Sequence, residues 1–189
     1  MKVHINRGLS DMEKRKIADE SNRILEEFNY QSGEVDVLEL AKELGFQVGI
    51  APLIDEEDGF IIVDDSTSSI QKLTGLRTDK IIGVNSERNI QKKRFIIAHE
   101  LGHYCLHYEE EVSDGMYAHR ENRKGKDDNE NDADFFAACL LMPSKSFNKK
   151  YKELKDKKLS EEDIVILLAN HFNVPKESAA RRIVEVTEE

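Results

Sequence analysis

Phe95-Ile96-Ile97-Ala98-His99-Glu100-Leu101-Gly102-His103-Tyr104-Cys105-Leu106-His107 is the stretch whose reading decides the fold. It contains His99-Glu100-x-x-His103. Residues four apart on an α-helix share one face and lie about 6 Å apart along the axis. Two imidazoles placed this way reach one metal ion, and Glu100, next to His99, is close enough to act as general base on a water at that ion. The plainer alternative, a surface helix with scattered histidines, fails on the neighbours. Phe95, Ile96, Ile97, Ala98, Leu101, Cys105 and Leu106 make the helix apolar on most sides, so it belongs in the core. Two histidines and a glutamate buried there without partners would be costly, and a metal gives them a reason to be there.

A zinc site that keeps one position open needs a third protein ligand. His107 continues the i, i+4, i+8 series. On a straight helix it stands about 12 Å along the axis from His99, too far to share one ion. Lining the cleft or capping the helix end suits it better. The stronger source is Glu130-Asn131-Asp132-Ala133-Asp134-Phe135-Phe136-Ala137-Ala138-Cys139-Leu140-Leu141-Met142-Pro143. This stretch starts acidic, becomes an apolar helical pattern and stops at Pro143. Glu130 and Asp134 are four apart on one face. One of these carboxylates can bind metal while the other accepts a hydrogen bond from a ligating His. Solvated acids at a helix N-terminus, favoured by the dipole, are the plain alternative.

Taken together, Ala98-His99-Glu100-Leu101-Gly102-His103…Leu106-His107 and Glu130-x-x-Ala133-Asp134-x-Phe136-Ala137-Ala138-x-Leu140-Leu141-Met142-Pro143 resemble the ImmA/IrrE family of zinc metallopeptidases. The resemblance is most specific over residues 80–143. It implies a Zn2+ cofactor held by His99, His103 and Glu130, with Glu100 as the catalytic base and Asp134 beside a ligating His. The family commonly has Asn at the position of Asp134; Asp keeps the acceptor and adds charge. A long polar insert between the two motifs is a second departure. The resemblance also implies a partner: a helix-turn-helix repressor of a phage or mobile element, relieved by cleavage or by binding. A non-catalytic zinc protein that works by docking is the alternative. Retention of Glu100 favours an enzyme, since a purely structural site has no need of that base.

The chain has 189 residues, enough for a real core, and a net charge of −10 that disfavours a general nucleic-acid binder. Cys105 and Cys139 show no C-x-x-C spacing and sit in apolar helical context, so buried thiols are expected. No N-terminal apolar segment follows Met1-Lys2-Val3-His4, and no apolar run is long enough to span a bilayer, which points to a cytoplasmic protein without membrane contact.

Ser10-Asp11-Met12-Glu13 reads as a capping box ahead of a helix over 11–29. A second helix is expected from Val35 to Leu44, closed by Gly45, with Val37, Leu38, Leu40, Ala41 and Leu44 inward. Strands are expected at 46–50, 59–64 and 80–85, with a hairpin or short strand near 70–76. Ser86 is the candidate cap of the motif helix, 88–108. Residues 109–129 carry no apolar period and read as a partly mobile loop. Tyr117 and His119 within it are cleft candidates alongside His107, able to stabilise an oxyanion if the segment folds over the site.

Beyond Pro143, residues 145–158 are Lys-rich and read as a solvated basic face. Ser160-Glu161-Glu162-Asp163 caps a further helix with Ile164, Leu167, Leu168 and His171 on one side, and Pro175 begins the last, to about Val186. This pair has the cadence of a helix-turn-helix, with Arg181 and Arg182 at the rim. Its N-terminal end, Pro175-Lys176-Glu177-Ser178, lacks base-reading side chains, so no specific DNA binding is expected.

The fold expected is α+β: a small, largely antiparallel sheet from residues 46–85 packed against the motif helix and surrounding helices, with a C-terminal helical pair. Residues 1–143 would form the zincin-like metallopeptidase domain and 144–189 a helical extension packed on it. In metallopeptidases that resemble this one, a sheet edge holds the substrate extended, and strand 59–64 or 80–84 is the candidate edge.

Overall fold

Ser10 accepts a hydrogen bond from the Glu13 amide, and the Glu13 carboxylate answers to the Ser10 backbone, so the capping box starts α1, Asp11–Glu27. In the computed structural model that begins this way, the described residues are 8–30, 34–53, 57–66, 68–120 and 128–187. Asp36 caps α2, Val37–Glu43, two residues later than the sequence suggests. Leu38 faces out at 38% exposure, contrary to expectation, because Val37, Leu40 and Ala41 fill the buried stripe of so short a helix. Gly45, at φ 89°, turns the chain into β1, Gln47–Ala51.

Strand β2, Gly59–Asp64, is followed by a helix, α3, Ser68–Thr74, where a hairpin or short strand is expected. The reason is local. The Asp64 carboxylate accepts from the Ser66 and Ser69 amides at 2.9 and 2.6 Å and from the Ser66 hydroxyl at 2.6 Å, which starts a helical turn. Strand β3, Lys80–Asn85, completes the expected set. The motif helix α4, Ile90–Glu111, is capped by Asn89 and not by Ser86, since the Asn89 side chain accepts from Lys92 N at 2.9 Å.

The segment after α4 is more ordered than its sequence suggests. Residues 109–111 finish α4, and Met116–Arg120 forms a strand, β4. Between them Asp114 and Gly115 both take positive φ, and Ser113 and Met116 exchange two backbone hydrogen bonds of 3.0 and 2.9 Å. That is a two-residue hairpin turn written in an Asp-Gly pair. The expected loop over 109–129 is corrected to this extent; its residues 121–127 lie outside the described ones. Helices α5 (Asp128–Leu141), α6 (Ser144–Lys155), α7 (Glu161–Phe172) and α8 (Lys176–Thr187) follow.

The protein is α+β, and its sheet is mixed where a largely antiparallel one is expected. The strand order is β1-β3-β2-β4, with β1 parallel to β3 and the other two pairings antiparallel. Strands 59–64 and 80–85 are therefore interior, and the edges are β1 and β4, which moves the candidate substrate edge to β4. Alternation sorts the two faces. Ile61, Val63, Ile82 and Val84 join the main core under α4, while Ile62 and Ile81 meet Ile70 of α3 on the other side. Helix α4 packs against α2, α5, β2, β3 and β4, so it is buried from Arg94 to His103.

The C-terminal helices pack on this body through polar anchors as well as apolar ones. Arg94 donates to the carbonyls of Val35 and Asn173. Arg182 is 1% exposed, not at a rim. Its guanidinium donates to Met142 O at 3.2 Å, to Ser144 Oγ at 2.8 Å and to Glu185 at 3.1 Å. Leu167, expected inward, is 41% exposed because Ile164, Leu168, Ala169 and Phe172 occupy the buried face of α7.

Candidate metal centre

His99 and His103 sit one helical turn apart on α4, facing α5. What lets α5 come close is a run of small residues. A β-carbon at Gly102 would stand 3.1 Å from Ala133 Cα and 3.2 Å from Ala133 O. Ala133 and Ala137 are fully buried at the same seam. This proximity carries Glu130, in the first turn of α5, and Asp134, one turn on, to the two histidines.

The ring nitrogens converge. His99 Nε2 and His103 Nε2 are 3.1 Å apart. Glu130 Oε2 lies 3.3 Å from His99 Nε2, and Glu130 Oε1 lies 3.8 Å from His103 Nε2. Ligands about 2.0–2.1 Å from a tetrahedral ion stand about 3.3–3.4 Å from one another, so these three donors fit a single small cation with little movement. Their ligand atoms all lie within 4.8 Å of one another, a group of three side chains that could hold a metal ion. Two nitrogens and one oxygen also suit a borderline divalent ion, and three protein donors leave a position open.

Around them the other residues have distinct places. His99 Nδ1 is 3.1 Å from Asp134 Oδ1, so Nδ1–H donates to the carboxylate and Nε2 is left to face the site. Asp134 Oδ2 is in turn 3.5 Å from Arg181 Nη1 of α8. Glu100 is fully buried, and neither of its carboxylate oxygens has a hydrogen-bond partner among the described residues. His119, on β4, reaches in from the sheet edge. Its Nε2 is 3.0 Å from Glu130 Oε1, its Nδ1 is 3.8 Å from Glu100 Oε2, and its ring stacks on His103 at 3.5 Å between centroids.

The other two cleft candidates stand apart. His107 is buried beside α5 with Nε2 3.8 Å from Asp132 Oδ2, outside the converging group. Tyr117 is buried edge-on to Tyr108, ring centroids 5.9 Å apart.

The ionisable groups of the site perturb one another strongly. Burial alone would lower the His99 pKa, but hydrogen bonds to Asp134 and Glu130 raise it to about 10. Burial, with His99 and His119 adding like charge, pushes His103 down to about 2. The two imidazoles whose nitrogens face each other are thus driven in opposite directions. Burial works against His119 too, and Glu100 and Glu130 together raise it to about 9. Burial would raise Glu130, yet His119 and His99 hold its carboxyl well below the ordinary range. Three carboxylates around three histidines gather negative charge where a cation would sit.

The class comes first: the family model that matches the chain is that of a metallopeptidase family, and the His/His/Glu group could hold its metal. More narrowly, the chain belongs to the IrrE N-terminal-like family, whose model matches residues 41–184 and so covers both motifs and the sheet. No curated protein matches the chain. No helix among the described residues is long and apolar enough to cross a membrane.

Two features were not legible in the motifs. Gly59 gives Glu100 its space, since a β-carbon there would stand 3.1 Å from Glu100 Oε1. The signal for it was a glycine at the start of an apolar strand. The contact of Arg181 with Asp134 had no sequence signal, as it joins positions 47 residues apart.

Proposed function

We propose that the protein is a zinc-dependent metalloendopeptidase that cuts one regulatory protein, a helix-turn-helix repressor of a phage or mobile element, in the cytoplasm. The observation that carries the peptidase reading is Glu100: a fully buried carboxylate without a hydrogen-bond partner among the described residues, one position from a converging His/His/Glu set. A structural metal site has no use for such a group, whereas hydrolysis needs a base held dry and close.

His99, His103 and Glu130 would hold the zinc, and Asp134 would orient His99. The bound ion supplies Lewis acidity toward the scissile carbonyl and makes water at the site a better nucleophile at neutral pH. Glu100 takes a proton from the attacking water as the new C–O bond forms. It gives that proton to the amide nitrogen as the C–N bond breaks. Strand β4 offers an edge along which an extended segment of substrate pairs, which brings the scissile bond past His119. The choice of a repressor rests on the resemblance of the two motifs. The acidic chain, net charge −10, suits a basic DNA-binding partner.

The test pairs the purified protein with the product of the adjacent gene, as the candidate repressor. Wild type should cleave it once or a few times. Glu100→Gln, isosteric and unable to take the proton, should keep zinc and lose at least ~100-fold in rate. If Glu100→Gln relieves repression as well as wild type, the docking alternative replaces the peptidase.

A further inference from the structure

The strand that was hidden in the polar segment delivers a histidine whose two ring nitrogens face two different carboxylates. His119 Nε2 is 3.0 Å from Glu130 Oε1, a hydrogen-bond distance; its Nδ1 is 3.8 Å from Glu100 Oε2. Two neighbours hold the ring in this position. It stacks on His103 at 26° between planes, and its strand is locked to β2 through the pairing of His119 with Ile61, a fully buried residue. The geometry points to His119 as a positioning residue of the metal centre: by donating from Nε2 to Oε1 it turns the Glu130 carboxylate so that Oε2, the oxygen 3.3 Å from His99 Nε2, is the ligand atom.

A carboxylate on a three-bond side chain rotates readily at its terminal torsion, and each orientation offers the ion a different oxygen. A ligating carboxylate is commonly fixed by a hydrogen bond to its other oxygen, and loss of such a bond typically costs 10–100-fold in metal affinity. Asp134 performs this service for His99, by the 3.1 Å contact at Nδ1. His119 performs it for Glu130. The side chain of His119 is 19% exposed, against 1–8% for the three ligand candidates, so it is also the member of the group that meets whatever enters. Its place on edge strand β4 means that a substrate paired there would bear on the strand that sets the ligand. This inference rests on the metal-site reading above but not on proteolysis, and it holds equally if the protein acts by docking alone.

The test measures zinc affinity of the full chain by competition with a chromophoric chelator. His119→Gln can place an amide N–H where Nε2 stands; His119→Phe keeps a ring to stack on His103 but donates nothing. Positioning requires that His119→Phe lose about 10–100-fold in zinc affinity while His119→Gln stays within about 3-fold of wild type. Thermal unfolding of the metal-free forms shows whether either variant has lost its fold. If His119→Phe binds zinc as tightly as wild type, the ring serves only for packing and the inference is overturned. If His119→Gln loses as much as His119→Phe with both metal-free forms folded, the Nε2 donor is not what matters, and the inference is overturned again. A wild type that takes up no zinc overturns this and the metal-site reading together.

Discussion

A β-carbon at Gly59 would stand 3.1 Å from Glu100 Oε1, 3.0 Å from the Gly83 carbonyl and 2.5 Å from Ile96 Cγ2. The first residue of β2 is thus the wall against which the candidate base rests. Gly59→Ala is expected to destabilise the fold by about 1–3 kcal/mol, the usual cost of forcing a methyl into a packed seam. It should also lower the hydrolysis rate while zinc content stays at the wild-type level, because the nearest atoms to the added methyl belong to Ile96, Gly83 and Glu100 and to none of the candidate ligands. Urea unfolding and a rate measurement at matched metal content check both parts. Wild-type stability together with wild-type rate would show that the seam has room.

Metal removal should loosen the whole centre. His99 and His103 hold their Nε2 atoms 3.1 Å apart, with Glu130 Oε2 3.3 Å from the first of them. We expect about one zinc per chain, and a folded state stabilised by about 2.7 kcal/mol when free zinc is 100 times its Kd. His103→Ala should remove the metal and the metal-dependent part of the stability together. Elemental analysis and thermal unfolding with and without chelator decide it; stoichiometric zinc in a His99/His103 double variant would refute the assignment.

Asp134 separates charge from hydrogen bonding. Its Oδ1 accepts from His99 Nδ1 at 3.1 Å. Asparagine keeps an acceptor at that place, so Asp134→Asn should lower zinc affinity by less than about 10-fold, whereas Asp134→Ala should lower it by about 10–100-fold. Equal losses in the two variants would mean that the negative charge, not the acceptor, supports His99.

Away from the metal, Asp64 gives a pH signature. Hydrogen bonds from Ser66 and from the Ser69 amide bring its carboxyl from the ordinary 3.8 down to about 2. A carboxylate depressed in the folded state contributes fully above its unfolded value, about 4, and loses that contribution as pH falls through about 2. Asp64→Asn does not titrate. The stability gap between wild type and this variant should therefore be flat from pH 7 to 5 and close toward pH 2. A gap that stays constant down to pH 2, read from denaturant midpoints, would remove Asp64 from the acid response.

What the sequence disclosed, it disclosed where the physics is local. The Ser10 capping box, the Pro143 stop and the four-residue spacings of His99/His103 and Glu130/Asp134 each depend on neighbours within a turn or two. The family resemblance added the pairing of the two motifs. Strand β4 escaped because its inward positions, Tyr117 and His119, read as polar residues in a charged segment; only Asp114-Gly115 marked the turn before it. Helix α3 escaped because its start comes from serines, which read equally as loop. The parallel pairing of β1 with β3 has no local signature at all, since register is settled by the packed face. Arg182 was misplaced for a related reason: charged residues belong outside by default, and its burial requires the Met142 carbonyl 40 positions away.

That last clamp has a consequence for the order in which the molecule is made. Helix α5 carries Glu130 and Asp134, and its end is held by the Arg182 guanidinium at Met142 O and Ser144 Oγ. Arg182 emerges from the ribosome 40 residues after Met142. At synthesis rates of about 5–20 residues per second, that interval is about 2–8 s. Throughout it the nascent chain already carries both motif histidines and Glu130, and α5 can pack on α4 and α1, but its far end lacks the polar clamp at Met142 O and Ser144 Oγ. The far end of the helix that presents Glu130 thus gains its polar clamp only once Arg182 has been made, from an arginine that touches none of the candidate ligands.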